Sequence, residues 1–219
     1  QDENFIAQEV AKYPKLLESL PAKDSGVRYR LEGYLFPATY TIKESTTIES
    51  LIDEMLATMD KNLSPHYATI KEKNLTVNEL LTIASLVEKE GAKTEDRKLI
   101  AGVFYNRLNL GIPLQSNIAI LYAEGKLGQK ISLADDVAID TAIDSPYNVY
   151  TNIGLMPGPV DSPSLDAIES SINQTKSDNL FFVANVQDGK VYFAATKEEH
   201  DKNVEEHINS KLKQSNNAN

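Results

Sequence analysis

The chain has 219 residues, of which 41% are hydrophobic and 25% charged, which is enough for one large domain or for one medium domain with a small annex. A formal net charge of −10 argues against an extended nucleic-acid interface, and the absence of cysteine excludes disulfides and thiolate metal sites. No apolar run approaches the ~18–20 residues that span a bilayer. Because the chain opens with QDENF, it reads as the middle of a longer protein, and we expect an anchor or further domain upstream.

The first third of the chain reads as helices that flank one aromatic segment. We predict a helix over residues 4–20 and short strand pieces around a turn over residues 27–41, where β-forming residues surround a glycine and a proline. Amphipathic spacing predicts further helices over residues 45–59 and about 64–71.

The stretch 76–91, TVNELLTIASLVEKEG, carries the most informative local pattern. Thr76 is a predicted N-cap with Glu79 as its capping-box partner, and a glycine ends the helix. The helix therefore finishes on Glu88 and Glu90, at the end where the backbone dipole disfavours negative charge and raises a carboxyl pKa. If also desolvated, such a group favours the protonated form that a general acid needs. These two side chains point about 200° apart, and local spacing does not choose between them or exclude a merely solvated helix end.

The second half of the chain is predicted to contain two helices followed by a long loop. Residues 94–110 predict a helix with Thr94 as N-cap and a glycine as its stop, and residues 116–124 predict another. Residues 125–161 lack periodicity and hold most of the turn-forming residues. A loop of that length inside a compact domain is usually functional.

The C-terminal part is predicted to be a helix, a β-hairpin and a charged helix. Ser162 and the proline that follows it are expected to cap a helix that ends near residue 173. Two strand patterns around Asp188-Gly189 predict the hairpin, and residues 197–212 predict the final helix. Because this order lacks the βαβ alternation of a nucleotide-binding fold, we predict an α+β class, helix-rich with one hairpin and short N-terminal strands.

Two groups of polar residues are candidates for binding a ligand. Tyr147, Asn148, Tyr150 and Thr151 combine flat ring faces with amide and hydroxyl groups, which suits a sugar, although tyrosine packing of a structural loop gives the same pattern. A second group surrounds one helix end and the turn after it, where it lines a cleft or only caps the helix: Asn106, Arg107, Gln115 and Ser116.

Other chemistries find no support in the sequence. The three histidines are scattered without the spacing of metal ligands, and neither a GxSxG elbow nor a glycine-rich phosphate loop is present. We therefore predict neither a metal nor another cofactor.

Several separated motifs resemble the YceG-like (MltG) family of endolytic murein transglycosylases, in family order and across residues 27–205. The matching segments are LEGYLFPATY (31–40), IASLVEKEG (83–91), VFYNRLNLGIPLQS (103–116), SPYNVYTNIGLMPGP (145–159), LFFVAN (180–185) and EEH (198–200). The sequence departs from the commoner family pattern at four places: the stretch Ser116-Asn117-Ile118, whose middle residue is an acid in the family, and the single residues Met156, Val191 and Asp201.

The resemblance implies a bacterial cell-wall enzyme that cuts peptidoglycan glycan strands between N-acetylmuramic acid and N-acetylglucosamine and leaves 1,6-anhydro ends. It places the catalytic glutamate on Glu90, and the two polar groups above become candidates for holding the glycan. A peptidoglycan-binding module without catalysis and a water-using muramidase are the alternatives.

The resemblance also implies how the domain is arranged within its protein. Residues 1–26 become a connecting segment, residues 27–212 the catalytic domain with a lysozyme-like active-site logic, and residues 213–219 a disordered tail. Family members carry a membrane helix and a LysM-like region ahead of this domain, which places it on the extracytoplasmic face of the cell membrane. Cell-wall synthesis proteins are expected partners, whereas nucleic acid is not.

Overall fold

The computed structural model describes residues 2–129, 139–185 and 189–210. Its elements, in chain order, are α1 (Glu3–Lys12), α2 (Pro14–Leu17), α3 (Ile48–Leu63), α4 (Tyr67–Glu72), α5 (Val77–Glu90), α6 (Thr94–Leu110), α7 (Asn117–Ala123), α8 (Leu165–Ile172), β1 (Phe181–Asn185), β2 (Lys190–Ala194) and α9 (Lys197–Val204). A π-helical turn, Glu205–Asn209, continues α9. The predicted α+β class is confirmed.

Helix α5 lies at the centre of the domain, and residues 80–87 are all buried. Leu80 and Ala84 belong to a core cluster shared with α1 to α4 and α8. Ile83 and Val87 belong to a second cluster, shared with α6, α7 and the loop that follows α7. Because every residue from 80 to 87 is buried, α5 is covered on all sides, and both clusters pack around it.

The predicted signals at both ends of α5 are met. The Thr76 side chain accepts a hydrogen bond from the Glu79 N–H, and the Glu79 carboxylate accepts one from the Thr76 N–H, which completes the capping box. Gly91 ends the helix, and its N–H donates to the Val87 carbonyl at 3.0 Å. Its φ of −117° is extended, so Gly91 is not a left-handed cap. A Cβ there would lie 2.8 Å from Arg97 Cγ, so close packing explains this glycine.

Several other boundaries shift by a few residues. The N-cap of α6 is Lys93 rather than Thr94, and the α6 C-terminus is closed by Gly111 in the left-handed region. Helix α8 is capped by Ser164, whose side chain accepts from the Ala167 N–H, and not by Ser162, which lies two residues earlier.

The strands predicted over residues 27–41 are absent, and turns and irregular backbone take their place. Gly33 has a φ of +82°, and a Cβ on it would lie 2.3 Å from Pro159 Cγ. Tyr34 is fully buried, and its hydroxyl donates to Asn78 Oδ1 at 3.3 Å. The aromatic residues of this segment therefore pack against α5 and a distant loop instead of pairing in a sheet.

The helix predicted over residues 4–20 is divided into α1 and α2. Pro14 begins α2, because a proline lacks the N–H that a continuous helix would use. Ile6, Leu16 and Leu17 are buried in the first core cluster. The segment predicted to be a connection thus contributes apolar side chains to this domain.

The predicted hairpin is present, with β1 and β2 antiparallel and Val183 opposite Tyr192. Asp188 of its predicted turn lies outside the described residues, as does the tail over residues 213–219. The final helix is described as far as residue 210. Within the described ranges, no helix combines the length and the apolar character that a bilayer span requires.

Candidate functional site

The end of α5 presents three consecutive charged side chains, Glu88, Lys89 and Glu90. Successive residues of a helix are about 100° apart, so the three side chains leave the helix in different directions. Each one meets a different part of the chain, and those partners distinguish the roles of the two glutamates.

Glu88 is held by three donors from two other helices. Its Oε1 pairs with Arg97 Nη2 of α6 at 2.8 Å. Its Oε2 accepts from the Ser164 N–H at 3.0 Å and from the Ser164 hydroxyl at 2.5 Å. Ser164 is the N-cap of α8, so Glu88 joins α5, α6 and α8. These contacts give Glu88 a structural role.

Glu90 is the last residue of α5 and points toward the start of α7. The Ser116 hydroxyl donates to Glu90 Oε1 at 2.8 Å, and Ser116 is only 2% exposed. Ser116 is also the N-cap of α7, yet its side chain makes no capping hydrogen bond there. An N-cap serine ordinarily uses its hydroxyl on its own helix. Here the hydroxyl is directed to the glutamate instead, and it fixes the position of that carboxyl group.

Arg107 connects the segment before Ser116 to the hairpin. It is 6% exposed, and its guanidinium donates to the carbonyls of Pro113 at 2.8 Å and Leu180 at 2.6 Å. A third bond reaches Gln115 Oε1 at 2.5 Å. Burial lowers the Arg107 pKa from its ordinary value, and a nearby tyrosine partly opposes this. Arg107 therefore holds the turn before Ser116 from the inside, whereas Gln115 is exposed.

The loop that contains Tyr147 and Tyr150 is joined to the turn before Ser116 by backbone and side-chain hydrogen bonds. The Gln115 N–H donates to the Val149 carbonyl at 3.0 Å, and the Tyr150 hydroxyl donates to Asn117 Oδ1 at 2.5 Å. Gln115 has a φ of +57°, a conformation that a non-glycine residue adopts only when its surroundings hold it. Tyr150 is half-buried, so part of its ring faces outward beside the α7 start.

Asn148 and Thr151 serve this loop in different ways. The Asn148 side chain is fully buried, and its amide donates to the Thr141 and Ile143 carbonyls at 3.1 and 2.8 Å. Its Oδ1 accepts from the Tyr150 N–H at 3.0 Å. Asn148 thus sets the shape of the loop from inside, while Thr151 is exposed on its surface.

Asn106 lies apart from the residues around Glu90. Its amide donates to the Ser177 and Asn179 carbonyls at 2.7 and 2.9 Å. These bonds fix the segment that leads into β1. The structure therefore brings Ser116 to Glu90 directly, links Gln115, Arg107 and Tyr150 to the same turn, and leaves Asn106 outside that group.

Tyr147 leads to a cluster that sequence reasoning did not single out. Its ring lies 4.7 Å from the Tyr122 ring, and the Tyr122 hydroxyl donates to Glu32 Oε2. The Arg28 guanidinium lies 4.6 Å over the Tyr122 ring and donates to the Tyr122 carbonyl at 3.0 Å. Burial raises the Glu32 pKa above its ordinary value of 4.5, and Tyr122 and Arg28 only partly offset this. The signal in the sequence was the LEGY segment, to which no role was assigned.

Two cavities lie at opposite ends of α5. The larger, about 530 Å³, is lined by Glu79 and Tyr105, which we call the Tyr105 cavity. Glu79 is eleven residues before Glu90, or about 16 Å along the helix. The smaller, about 260 Å³, is lined by Glu32 and Lys89 and is called the Glu32 cavity. Of these two cavities, the Glu32 cavity is the one next to the C-terminal end of α5.

Metal binding finds no support in the part of the chain that the structure describes. Across residues 2–129, 139–185 and 189–210, no group of three or more His, Asp or Glu side chains has a geometry that could hold a metal ion.

Comparison with known proteins identifies the class to which this fold and site belong. A model of the YceG-like family matches residues 3–206. The chain belongs to the YceG-like family. A crystal structure of a YceG-like protein from Listeria monocytogenes matches it with a TM-score of 0.81 and 39% identity, over 92% of this chain and 64% of that one.

Curated relatives are similar over almost the whole chain. It is 85% identical over 212 residues to the endolytic murein transglycosylase of Streptococcus pneumoniae serotype 2 (strain D39 / NCTC 7466), covering 97% of this chain and 38% of the relative. It is 37% identical over 211 residues to the protein of the same name from Bacillus subtilis (strain 168), covering 96% of this chain and 57% of the relative. The chain therefore spans less than two thirds of these relatives.

Proposed function

We propose that this domain is an endolytic murein transglycosylase that cleaves peptidoglycan glycan strands, with Glu90 as its catalytic acid and base. The observation that carries the proposal is the hydrogen bond from Ser116 to Glu90, made by an N-cap serine that does not cap its own helix. The names of the relatives support the substrate class. Glu88 is committed to Arg97 and Ser164, so it does not compete for the role.

The reaction needs one carboxyl group that acts twice. Protonated Glu90 donates its proton to the glycosidic oxygen as the bond from that oxygen to the muramoyl C1 breaks. The Glu90 carboxylate then takes the proton of the muramoyl 6-hydroxyl as its oxygen bonds to C1. This closes the 1,6-anhydro ring, regenerates the acid and consumes no water.

The attacking hydroxyl belongs to the substrate, so placement of the sugar replaces activation of a water. Ser116 fixes the carboxyl group, while Gln115, Tyr150 and Thr151 offer groups on the surface that can hold the glycan. Four other residues act from beneath that surface. Arg107 fixes the turn before Ser116, and Asn106 fixes the segment that leads into β1. Asn148 and Tyr147 fix the loop that contains them. An ordinary glycosidase uses a second carboxyl group as nucleophile or base, a role that ring closure makes unnecessary.

The site of action follows from the substrate. Peptidoglycan lies outside the bacterial cell membrane, so we place this domain on the extracytoplasmic face, attached through a membrane segment that belongs to the longer protein. Cell-wall synthesis proteins are the expected neighbours of an enzyme that cuts new glycan strands.

Mass spectrometry of digested glycan strands tests the proposal. Anhydro ends are expected from the wild type, whereas reducing ends would indicate a water-using muramidase and intact strands a binding module. Glu90→Gln should lower cleavage by ~10²–10⁴ and retain the fold. Glu95→Gln is the matched control, because Glu95 is an exposed carboxylate in the first turn of α6. Equal cleavage by the wild type and Glu90→Gln would overturn the assignment.

A further inference from the structure

The Glu32 cavity lies beside the end of α5 that carries Glu90. Lys89 lines the cavity, and its Cα is about 3.8 Å from that of Glu90. Tyr122 lines it from α7, six residues after the Ser116 that holds Glu90. Six residues of helix rise by about 9 Å. The cavity is therefore built from the same two elements, α5 and α7, that position Glu90.

The backbone around Glu32 is fixed by close packing. Gly33 adopts a φ of +82°, and any Cβ there would clash with Pro159, so the turn is pressed against the loop that follows α7. Glu32 is held at the cavity by the Tyr122 hydroxyl, and Tyr122 is itself held by Arg28. A partly buried carboxyl group costs stability unless it is well compensated. Its retention in a cavity wall marks a candidate binding group.

The charges around the cavity favour a neutral ligand. Two cations, Arg28 and Lys89, face two acids, Glu32 and Asp161. Lys89 and Asp161 already pair at 2.7 Å. The formal charges cancel, so the lining has no excess of one sign that would select a phosphate or a metal cation.

The shape and surface of the cavity suit a single sugar. Leu127 and Val160 provide apolar wall, Tyr122 provides an aromatic face, and Tyr29 stands at the rim with 60% of its surface exposed. Ring faces beside hydrogen-bonding groups match the apolar faces and polar edges of a sugar. At about 260 Å³ the cavity is smaller than the ~300–1,000 Å³ typical of drug-sized ligands.

We propose that the Glu32 cavity is a subsite for one neutral N-acetylated sugar of the glycan strand, beside the bond that is cleaved at Glu90. Glu32 accepts a hydrogen bond from a hydroxyl or amide N–H of that sugar, and Tyr29 covers its outer face. This inference rests on the proposed function, since it assigns a subsite to the same strand.

Binding is measured on the Glu90→Gln background, so that cleavage does not consume the ligand. The probe is a tetrasaccharide of alternating N-acetylglucosamine and N-acetylmuramic acid. In Glu32→Gln the amide oxygen can still accept from Tyr122, but an amide NH2 donor replaces the acceptor offered to the sugar. By calorimetry, we expect this variant to bind the tetrasaccharide at least about 10-fold more weakly than the Glu90→Gln background does. Glu9→Gln is the matched control, because Glu9 is also buried with a raised pKa but lies on α1 outside the cavity.

The location of the sugar is read from amide signals by NMR. Gly125 and Gly128 line the cavity, and their signals should shift during the titration. The subsite is overturned if the tetrasaccharide does not bind, if these two signals do not move, or if Glu32→Gln and Glu9→Gln bind equally. Anhydro ends from the wild type together with any of those results would remove the subsite alone. If binding depends on Glu32 but the wild type leaves glycan strands intact, the proposed function is rejected and the sugar-binding site is retained.

Discussion

Replacing Glu88 with glutamine separates the two glutamates at the end of α5 by experiment. Glu88 Oε1 pairs with Arg97 at 2.8 Å, and Oε2 accepts two bonds from Ser164 at 3.0 and 2.5 Å. Glutamine keeps one acceptor oxygen, but its amide NH2 group would face the donors of either Arg97 or Ser164. The substitution therefore removes the negative charge from the junction of α5, α6 and α8.

The cost follows from burial and from the partners that remain. The Glu88 and Arg97 side chains are 23% and 14% exposed, which places the pair between a surface and a buried ion pair. Each hydrogen bond to a charged group contributes about 1.5–3 kcal/mol. Arg97 keeps Asp166 at 2.6 Å, which offsets part of the loss. We expect Glu88→Gln to lower the free energy of unfolding by about 2–3 kcal/mol, which corresponds to a Tm lower by roughly 4–12 °C for a domain of this size.

Thermal unfolding followed by circular dichroism is compared with glycan cleavage below both transition temperatures. Glu88→Gln should unfold at a lower temperature than the wild type but cleave within a few-fold of its rate. Glu90→Gln should unfold like the wild type but lose most of its cleavage. A Glu88→Gln variant that is folded at the assay temperature yet cleaves ~100-fold more slowly would refute the reasoning. Wild-type stability in that variant would refute the structural role.

Four further substitutions test packing and charge in the domain. Gly33→Ala should lose more than the ~1–2 kcal/mol of a left-handed backbone, whereas Gly111→Ala, with open space around it, should lose only that amount in denaturant unfolding. Arg107→Lys should lose about 2–3 kcal/mol and speed amide exchange in β1, because one ammonium cannot replace three fork bonds. Burial would raise the Asp166 pKa, but bonds from Arg97 and Thr94 outweigh it and hold the pKa below 3.8. Its stabilisation is thus present above pH 3.8 and lost as the pH falls through the lower folded pKa, so Asp166→Asn should flatten the acid limb of stability against pH.

The sequence predicted the parts of the fold that depend on neighbouring residues. The capping box of α5, the glycine that closes α6 and the antiparallel hairpin all follow from signals within a few positions. The prediction of strands over residues 27–41 was wrong, because the conformation of this segment depends on contacts with distant residues. Gly33 and Tyr34 are fixed by Pro159 and Asn78, which lie far along the chain, and local β-propensity does not include those contacts.

The sequence by itself determined that a helix ends on two carboxylates and, through the resemblance, which family the chain belongs to. It did not separate their roles by local spacing, because both side chains flank the same apolar stripe. The tertiary structure decided that Glu88 meets Arg97 and Ser164 while Glu90 meets Ser116. It also brought Glu32 to the end of α5. These partners come from separate segments, and only folding brings them within hydrogen-bond distance.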